Sequence, residues 1–317
     1  MLLPFGGLRC SGRKEYARWH NRALMIDHVQ PELLSPVPPV ARFLTFRIAP
    51  EADVRTAMVR LRDEVELDCG VVGIGAPTVL ALEAEVPGLR TFPALSGAGC
   101  SVPSTQQALL FFLRGPDRGI VFDRTQTIRA IVGDAFLLED VVDTFTYHGG
   151  RDLTRFEDGT ENPRDEKAVD AAIVAEGETM RGSSFVAVQQ WVHDLGRFRS
   201  FGPQRCDDLI GRSAETNDEL PDAPPFAHVK RAAQESFDPQ AFMVRRSMPW
   251  ATAEKEGLEF VAFVESLDRF ERVLRRMVGL DDGVIDGLFL FSRPVTGGYY
   301  WCPPSRDGKL DLRQLGL

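Results

Sequence analysis

The sequence predicts an α+β chain built as two successive halves, and three observations carry that reading. Short runs dense in β-branched and aromatic residues recur at 40–48, 109–113, 135–147, 185–192 and 258–264, as buried strands require. Between them lie segments whose apolar residues repeat at helical spacing, clearest at 54–65 and 267–278. This order of elements comes twice, before and after a polar stretch that begins near residue 150. Two such rounds suggest a duplicated ferredoxin-like fold, two antiparallel-sheet halves with peripheral helices. The duplication rests on element order, since the halves share no visible sequence identity.

Taken in order, residues 1–39 read as an N-terminal arm that ends in the proline-rich stretch Pro31 to Pro39. Residues 40–150 form the first half. Val40 to Ile48 is a strand, Val54, Met58, Leu61 and Val65 mark a helix, and Asp68 to Gly75 is a second strand, together a β-α-β unit. Leu109 to Leu113, a weaker helical stretch and the long run Ala135 to Tyr147 complete it. Residues 151–317 form the second half, with strands at Phe185 to Val192 and Leu258 to Val264. Ser266 can cap the next helix, in which Leu267, Phe270, Leu274, Met277 and Val278 face one way while Arg269, Arg272, Arg275 and Arg276 mostly face water. Gly279 can end that helix, and Gly287 to Ser292 reads as a closing strand.

Composition narrows the functional classes. With 317 residues, 44% hydrophobic and 26% charged, the chain can bury a sizeable core without disulfide staples. A net charge of -9 argues against a nucleic-acid surface. No apolar run approaches the length of a membrane helix. Arg9, Arg13, Lys14, Arg18 and Arg22 make the arm basic, without the apolar core of a secretory signal. The arm is therefore expected to be mobile or to contact other subunits of a homo-oligomer, and the location to be cytoplasmic, with a transit peptide as the alternative. Cys10, Cys69, Cys100, Cys206 and Cys302 form no CxxC pair, which suits reduced thiols.

The loop Arg155-Phe156-Glu157-Asp158-Gly159-Thr160-Glu161-Asn162-Pro163 places three carboxyl groups around an Asp-Gly turn. Carboxylates so arranged could bind a hard cation, cap a helix, or present one acid to a cavity. The loop lacks EF-hand spacing. P-loop, GxGxxG, GxSxG and HExxH motifs are absent.

The ordered set DLTRFEDGTENP, WVHDL, AHVKRA around His228, MVRRSMPW around Arg245 and RPVTGGYYW resembles the dye-decolourising peroxidase family, its bacterial intracellular branch with short loops. The resemblance runs from about Phe43 to Pro304. It implies a fold of the dimeric α+β barrel type, one non-covalent haem b per chain, hydrogen peroxide as oxidant and a small-molecule reductant. No Cys-x-x-Cys-His is present for covalent attachment. The resemblance makes His228 the iron ligand, with Asp286 the candidate carboxylate behind it. It makes Asp158 the acid and base of the opposite side, and Arg245 the cation there. Arg246, its neighbour on an extended strand, must point the other way, toward the surface or a propionate. Arg212 and the backbone of Gly159, Thr160 and Glu161 are expected at the haem edge, and Ser247 stands where some members carry asparagine. Arg155 replaces the glycine that usually opens the family loop, which raises the cost of any positive φ there. Trp191, Trp250, Trp301, Tyr299 and Tyr300 could pass an oxidising equivalent outward or simply be core. Two other readings stay open: removal of iron from haem, and a haem-binding or haem-delivery protein that has no need of Asp158 and Arg245 together.

Overall fold

The computed structural model describes residues 27–317. The first half runs β1 (Val40–Ile48), α1 (Val54–Glu64), β2 (Gly70–Gly75), α2 (Ala76–Ala81), a small hairpin of β3 (Leu95–Gly97) and β4 (Cys100–Val102), β5 (Leu109–Gly115), α3 (Arg118–Val132) and β6 (Phe136–Phe145). Beyond the acidic loop come α4 (Asp165–Ala172), β7 (Ser184–His193), α5 (Leu195–Ser200), α6 (Pro203–Ile210), α7 (His228–Arg231), β8 (Val244–Arg245), β9 (Met248–Ala251), β10 (Glu256–Val264), α8 (Leu267–Met277), β11 (Ser292–Pro294) and β12 (Gly298–Cys302).

Following the hydrogen-bonded neighbours from β7 gives β12, β2, β5, β1, β6, β9, β10 and then β7 again, because β7 also pairs with β10. The sheet therefore closes into a barrel-like ring of antiparallel strands, which removes the exposed edges of an open sheet. Period-two alternation sorts the side chains. Phe43, Val71, Leu110, Val142, Val186, Met248, Val261 and Tyr300, one from each ring strand, share one cluster inside the ring. Leu44, Phe46, Phe111, Ala187 and Ala262 point outward under α1, α3 and α8. The helices α1, α3 and α8 thus cover the outer face.

Most expected elements appear, and four differ. The closing strand is β12, not residues 287–292. Asp286 accepts from Leu288 N at 2.8 Å and caps a 3-10 turn over Gly287–Leu290, so that apolar run coils instead of extending. Residues 67–69 likewise form a 3-10 turn ahead of β2. The arginines of α8 face water less than expected: Arg269 binds Glu265 at 2.7 Å, Arg272 donates to the Pro239 carbonyl, and Arg276 stacks on Phe237. The expected loose arm is docked over residues 27–39. Gln30 is fully buried, donating to the carbonyls of Val72 and Pro303 at 3.0 Å each and accepting from Val72 N at 2.8 Å. Val29 and Leu33 join the interior cluster beside it. The basic residues 9–22, and with them the expected subunit contact, lie outside the described residues.

Among the described residues no helix is long and apolar enough to cross a membrane. The four described cysteines are free, and burial raises the thiol of Cys69 to about 11.

Candidate active site

His228 opens α7, a single helical turn that needs external anchors. Arg231, buried at its end, makes a two-pronged ion pair with Asp282 at 2.7 Å and donates to the Arg276 carbonyl. Gly211 closes α6 at φ 91, and a Cβ there would lie 2.3 Å from Val229 Cγ2, so only glycine lets α7 approach this closely. Gly287 N donates to the Phe226 carbonyl at 2.7 Å, which aligns the segment before His228 with the segment after Asp286. As a result the His228 Nδ1–H donates to Asp286 Oδ2 at 2.8 Å. The second Asp286 oxygen is held by Leu288 N, and the side chain has no exposed surface. An ionised carboxylate can only accept, so the proton sits on Nδ1 and Nε2 is the free ring nitrogen.

Facing His228 is the acidic loop. It is a small hairpin in which Arg151 bridges to Glu157 and Asp158 N donates to the Gly150 carbonyl at 3.2 Å. Phe156 is buried against Phe198, which fixes the chain two residues before Asp158. The turn closes when Asn162 N donates to the Gly159 carbonyl at 3.0 Å, with Gly159 at φ 75. Arg155 adopts φ 77. The geometry that favours glycine is retained with arginine in its place.

Asn162 then joins loop to sheet. Its Oδ1 accepts from Arg245 N at 2.8 Å and its Nδ2 donates to the Arg245 carbonyl at 3.1 Å, so the side chain pairs with β8 as another strand would. This places Asp158 and Arg245 together. Both line an apolar chamber of about 90 Å³, a polar chamber of about 460 Å³ and a narrow pocket of about 80 Å³ on the loop's other side. Burial pushes the Asp158 carboxyl above the ordinary range, the Arg245 charge opposes that shift, and the Asp152 charge adds to it. Arg246 points away, as its strand position requires, but to neither surface nor cavity. It donates to the carbonyls of Ser35 and Leu34 at 2.7 Å each, and burial lowers it to about 10.

The apolar chamber is walled by Trp191, Leu258, Phe260, Phe270, Leu274 and Met277, with His228 and Arg245 among the polar groups. Gly159, Thr160, Glu161 and Arg212 line the polar chamber. Arg212 is already paired there, with Glu161 at 2.9 Å and Glu219 at 3.8 Å. Ser247 is buried, accepts from Val261 N at 3.3 Å and borders the narrow pocket. Trp191, Trp250, Trp301, Tyr299 and Tyr300 are all buried, so none of them presents a ring at the surface.

Sequence reasoning missed Asn162, whose pairing with Arg245 N and O needs the fold to be seen. It also missed the pair of His193 with Asp152. His193 Nε2 lies 3.2 Å from Asp152 Oδ2 and its Nδ1 lies 2.7 Å from Ser292 Oγ, at the chamber wall. Burial would raise the Asp152 carboxyl, but hydrogen bonds from His193 and Thr154 outweigh it and hold it low. The WVHDL string was the available signal.

A flat prosthetic group fits this arrangement. One nitrogen donor stands at the cavity, the walls around it are apolar, and the guanidinium Nε of Arg245 and the amide Nε2 of Gln189 are buried at the same chamber without hydrogen-bond partners. The apolar chamber of about 90 Å³ and the polar chamber of about 460 Å³ share Asp158, His228 and Arg245 as lining residues, and pockets of several hundred Å³ are typical of cofactor sites. His228, Asp158 and Arg245 line the apolar chamber together.

The model of the family described as Dyp-type peroxidase, C-terminal, matches residues 149–307. A dye-decolorizing peroxidase of Mycobacterium tuberculosis is 30% identical over 301 residues, covering 88% of this chain and 90% of the relative. One of Brevibacterium linens is 30% identical, covering 86% and 79%. Among solved structures, a dye-decolorizing protein from V. cholerae superposes with TM-score 0.79 at 27% identity, covering 90% of this chain and 98% of that one. A Rhodococcus jostii RHA1 DypB variant in complex with heme gives TM-score 0.79 at 28% identity, covering 86% and 94%. The chain belongs to the dye-decolourising peroxidase family. It is a haem-dependent peroxidase.

Proposed function

We propose that His228 would hold the haem iron, that Asp158 and Arg245 are the catalytic pair, and that dyes, phenolics or other one-electron donors are the reductants. The observation that carries this reading is the hydrogen bond from His228 Nδ1 to the fully buried Asp286, in a chamber that Asp158 and Arg245 also line. Haem, when bound, supplies the iron at which hydrogen peroxide is reduced and through which donors are oxidised one electron at a time. His228 would hold the iron through Nε2, and Asp286 makes that nitrogen more basic by accepting the Nδ1 proton. Asp158 takes the proton from the incoming peroxide and returns it to the departing oxygen, which leaves as water. Arg245 stabilises the negative charge that develops as the O–O bond breaks, and it needs no proton transfer to do so. Arg212, released from Glu161, would receive a propionate, beside the backbone of Gly159, Thr160 and Glu161. Ser247 would order water behind the pair.

Replacing His228 with alanine should abolish stoichiometric haem binding or leave haem without nitrogen ligation, read by resonance Raman or electron paramagnetic resonance. A normal histidine-ligated spectrum in His228→Ala would remove the residue from the mechanism.

Each half follows β-α-β-β-α-β, and the two sets of four ring strands are ordered β6-β1-β5-β2 and β9-β10-β7-β12, which supports a duplicated ferredoxin-like fold divided near residue 150. Free cysteines support a reducing, cytoplasmic setting. The basic N-terminal residues motivate a homo-oligomer, tested by the mass of the holoprotein in solution. Haem iron removal would be recognised by free porphyrin as product.

A further inference from the structure

On β10 the residues on either side of Glu259, Leu258 and Phe260, line the apolar chamber of the active site. Glu259 itself points to the opposite face of the sheet, into a separate cavity of about 260 Å³ at one end of the ring interior. The peroxidase mechanism uses neither the residue nor the cavity. Glu259 is 4% exposed, its Oε2 is buried without a hydrogen-bond partner, and no lysine or arginine lines the space around it. Such a group costs stability unless something satisfies it. Glu139 and Asp140 border the same cavity from β6, with Phe43, Val142, Val188 and Tyr300 as its apolar lining.

We propose that this cavity is a binding site for a small organic cation, an alkylammonium whose nitrogen meets the Glu259 carboxylate while its chain lies against Phe43, Val188 and Tyr300. Charge selects the sign of the ligand, because every ionisable side chain that lines the cavity is an acid or the Tyr300 phenol. The lining selects an organic cation over a metal ion. No group of three or more His, Cys, Asp or Glu able to hold a metal occurs among the described residues, whereas aromatic rings and a methyl-lined wall suit an alkylammonium. Burial, with the nearby Asp140 charge, holds the Glu259 carboxyl well above the ordinary range. A bound cation favours its ionised form. The groups facing it are Asp140 and Glu139, the latter paired with Arg47 at 3.0 Å, and Tyr300, whose phenol burial pushes far up.

The test is isothermal titration of the haem-loaded protein with n-butylamine, which is butylammonium at neutral pH, alongside 1-butanol and Mn²⁺. Saturable butylammonium binding is expected, tightening as pH rises, and weakened about tenfold or more in Glu259→Gln. Val188→Leu, which narrows the cavity and leaves its charge alone, should weaken binding too, so the proposal does not hang on one variant. The Soret band of each variant reports that the haem site is intact. Equal binding of 1-butanol, unchanged butylammonium binding in Glu259→Gln, no binding at all in the wild type, or Mn²⁺ binding that is lost in Glu259→Gln in place of the amine would each overturn the proposal.

Discussion

At the residue scale, the roles proposed for Asp158 and Arg245 differ. The Asp158 carboxyl is raised above the ordinary range, chiefly by burial, with Arg245 opposing. To accept the peroxide proton it must be ionised, so the rate of peroxide reaction should climb as pH rises through its raised value and level off above. Arg245→Leu should be slower than Asp158→Asn at neutral pH in rapid mixing with peroxide, and only the Asp158 variant should lose the acid-side limb. Losses of about a hundred- to a thousandfold are typical for such a cation and about a hundred- to ten-thousandfold for a positioned acid, so magnitudes alone do not rank them. Replaceability does: cavity water can relay a proton, whereas Arg246, tied to Leu34 and Ser35, cannot supply a second guanidinium. A slower Asp158→Asn would reverse the assignment. The adjacent Arg155 sits at φ 77 with its side chain exposed. Relief of left-handed strain is worth about 1–2 kcal/mol against about 0.5–1 kcal/mol of added chain entropy. Arg155→Gly should therefore raise unfolding stability by up to about 1 kcal/mol in a denaturant titration. A loss of stability would mean that the arginine side chain contributes something its exposure conceals.

At the element scale, the parts legible in the sequence were those whose pattern is local. The strand at Val40–Ile48 and the helix capped by Ser266 emerge within a residue or two of their expected bounds, because alternation and capping are properties of short windows. The run at 287–292 misled for the same reason: its apolar content suits a strand, but a carboxylate engaged with His228 across the fold also caps a 3-10 turn. β12 was hidden by its glycines and aromatics, which read as a motif and not as a strand. The arm was misjudged because the partners of Gln30, Val72 and Pro303, lie far from it in sequence. Since Gln30 is buried with three hydrogen bonds, Gln30→Ala should cost about 1–3 kcal/mol of unfolding free energy while leaving the Soret band of the loaded protein unchanged. An undiminished midpoint would show that the docked segment contributes little to the barrel's stability.

For the whole molecule, the fold brings residues from distant segments to one cavity, His228 on α7, Asp158 on the acidic loop and Arg245 on β8, with Asp286 of the 3-10 turn bonded to His228. The residue types were legible through their motifs. Their assembly was not, because Asn162, Phe156 and Gly211 set the geometry through contacts that no spacing rule contains. The ring itself needed β7 to pair with two partners beyond its edge strand, which element order alone does not state. The most direct test of the account is the absorption spectrum of the haem-loaded protein before and within seconds after one equivalent of hydrogen peroxide. A histidine-ligated Soret band that shifts on peroxide addition and returns when a phenolic donor is supplied is the expected result. A Soret band that ignores peroxide would contradict the account and leave a haem carrier, and the appearance of iron-free porphyrin would replace the peroxidase reading with iron removal.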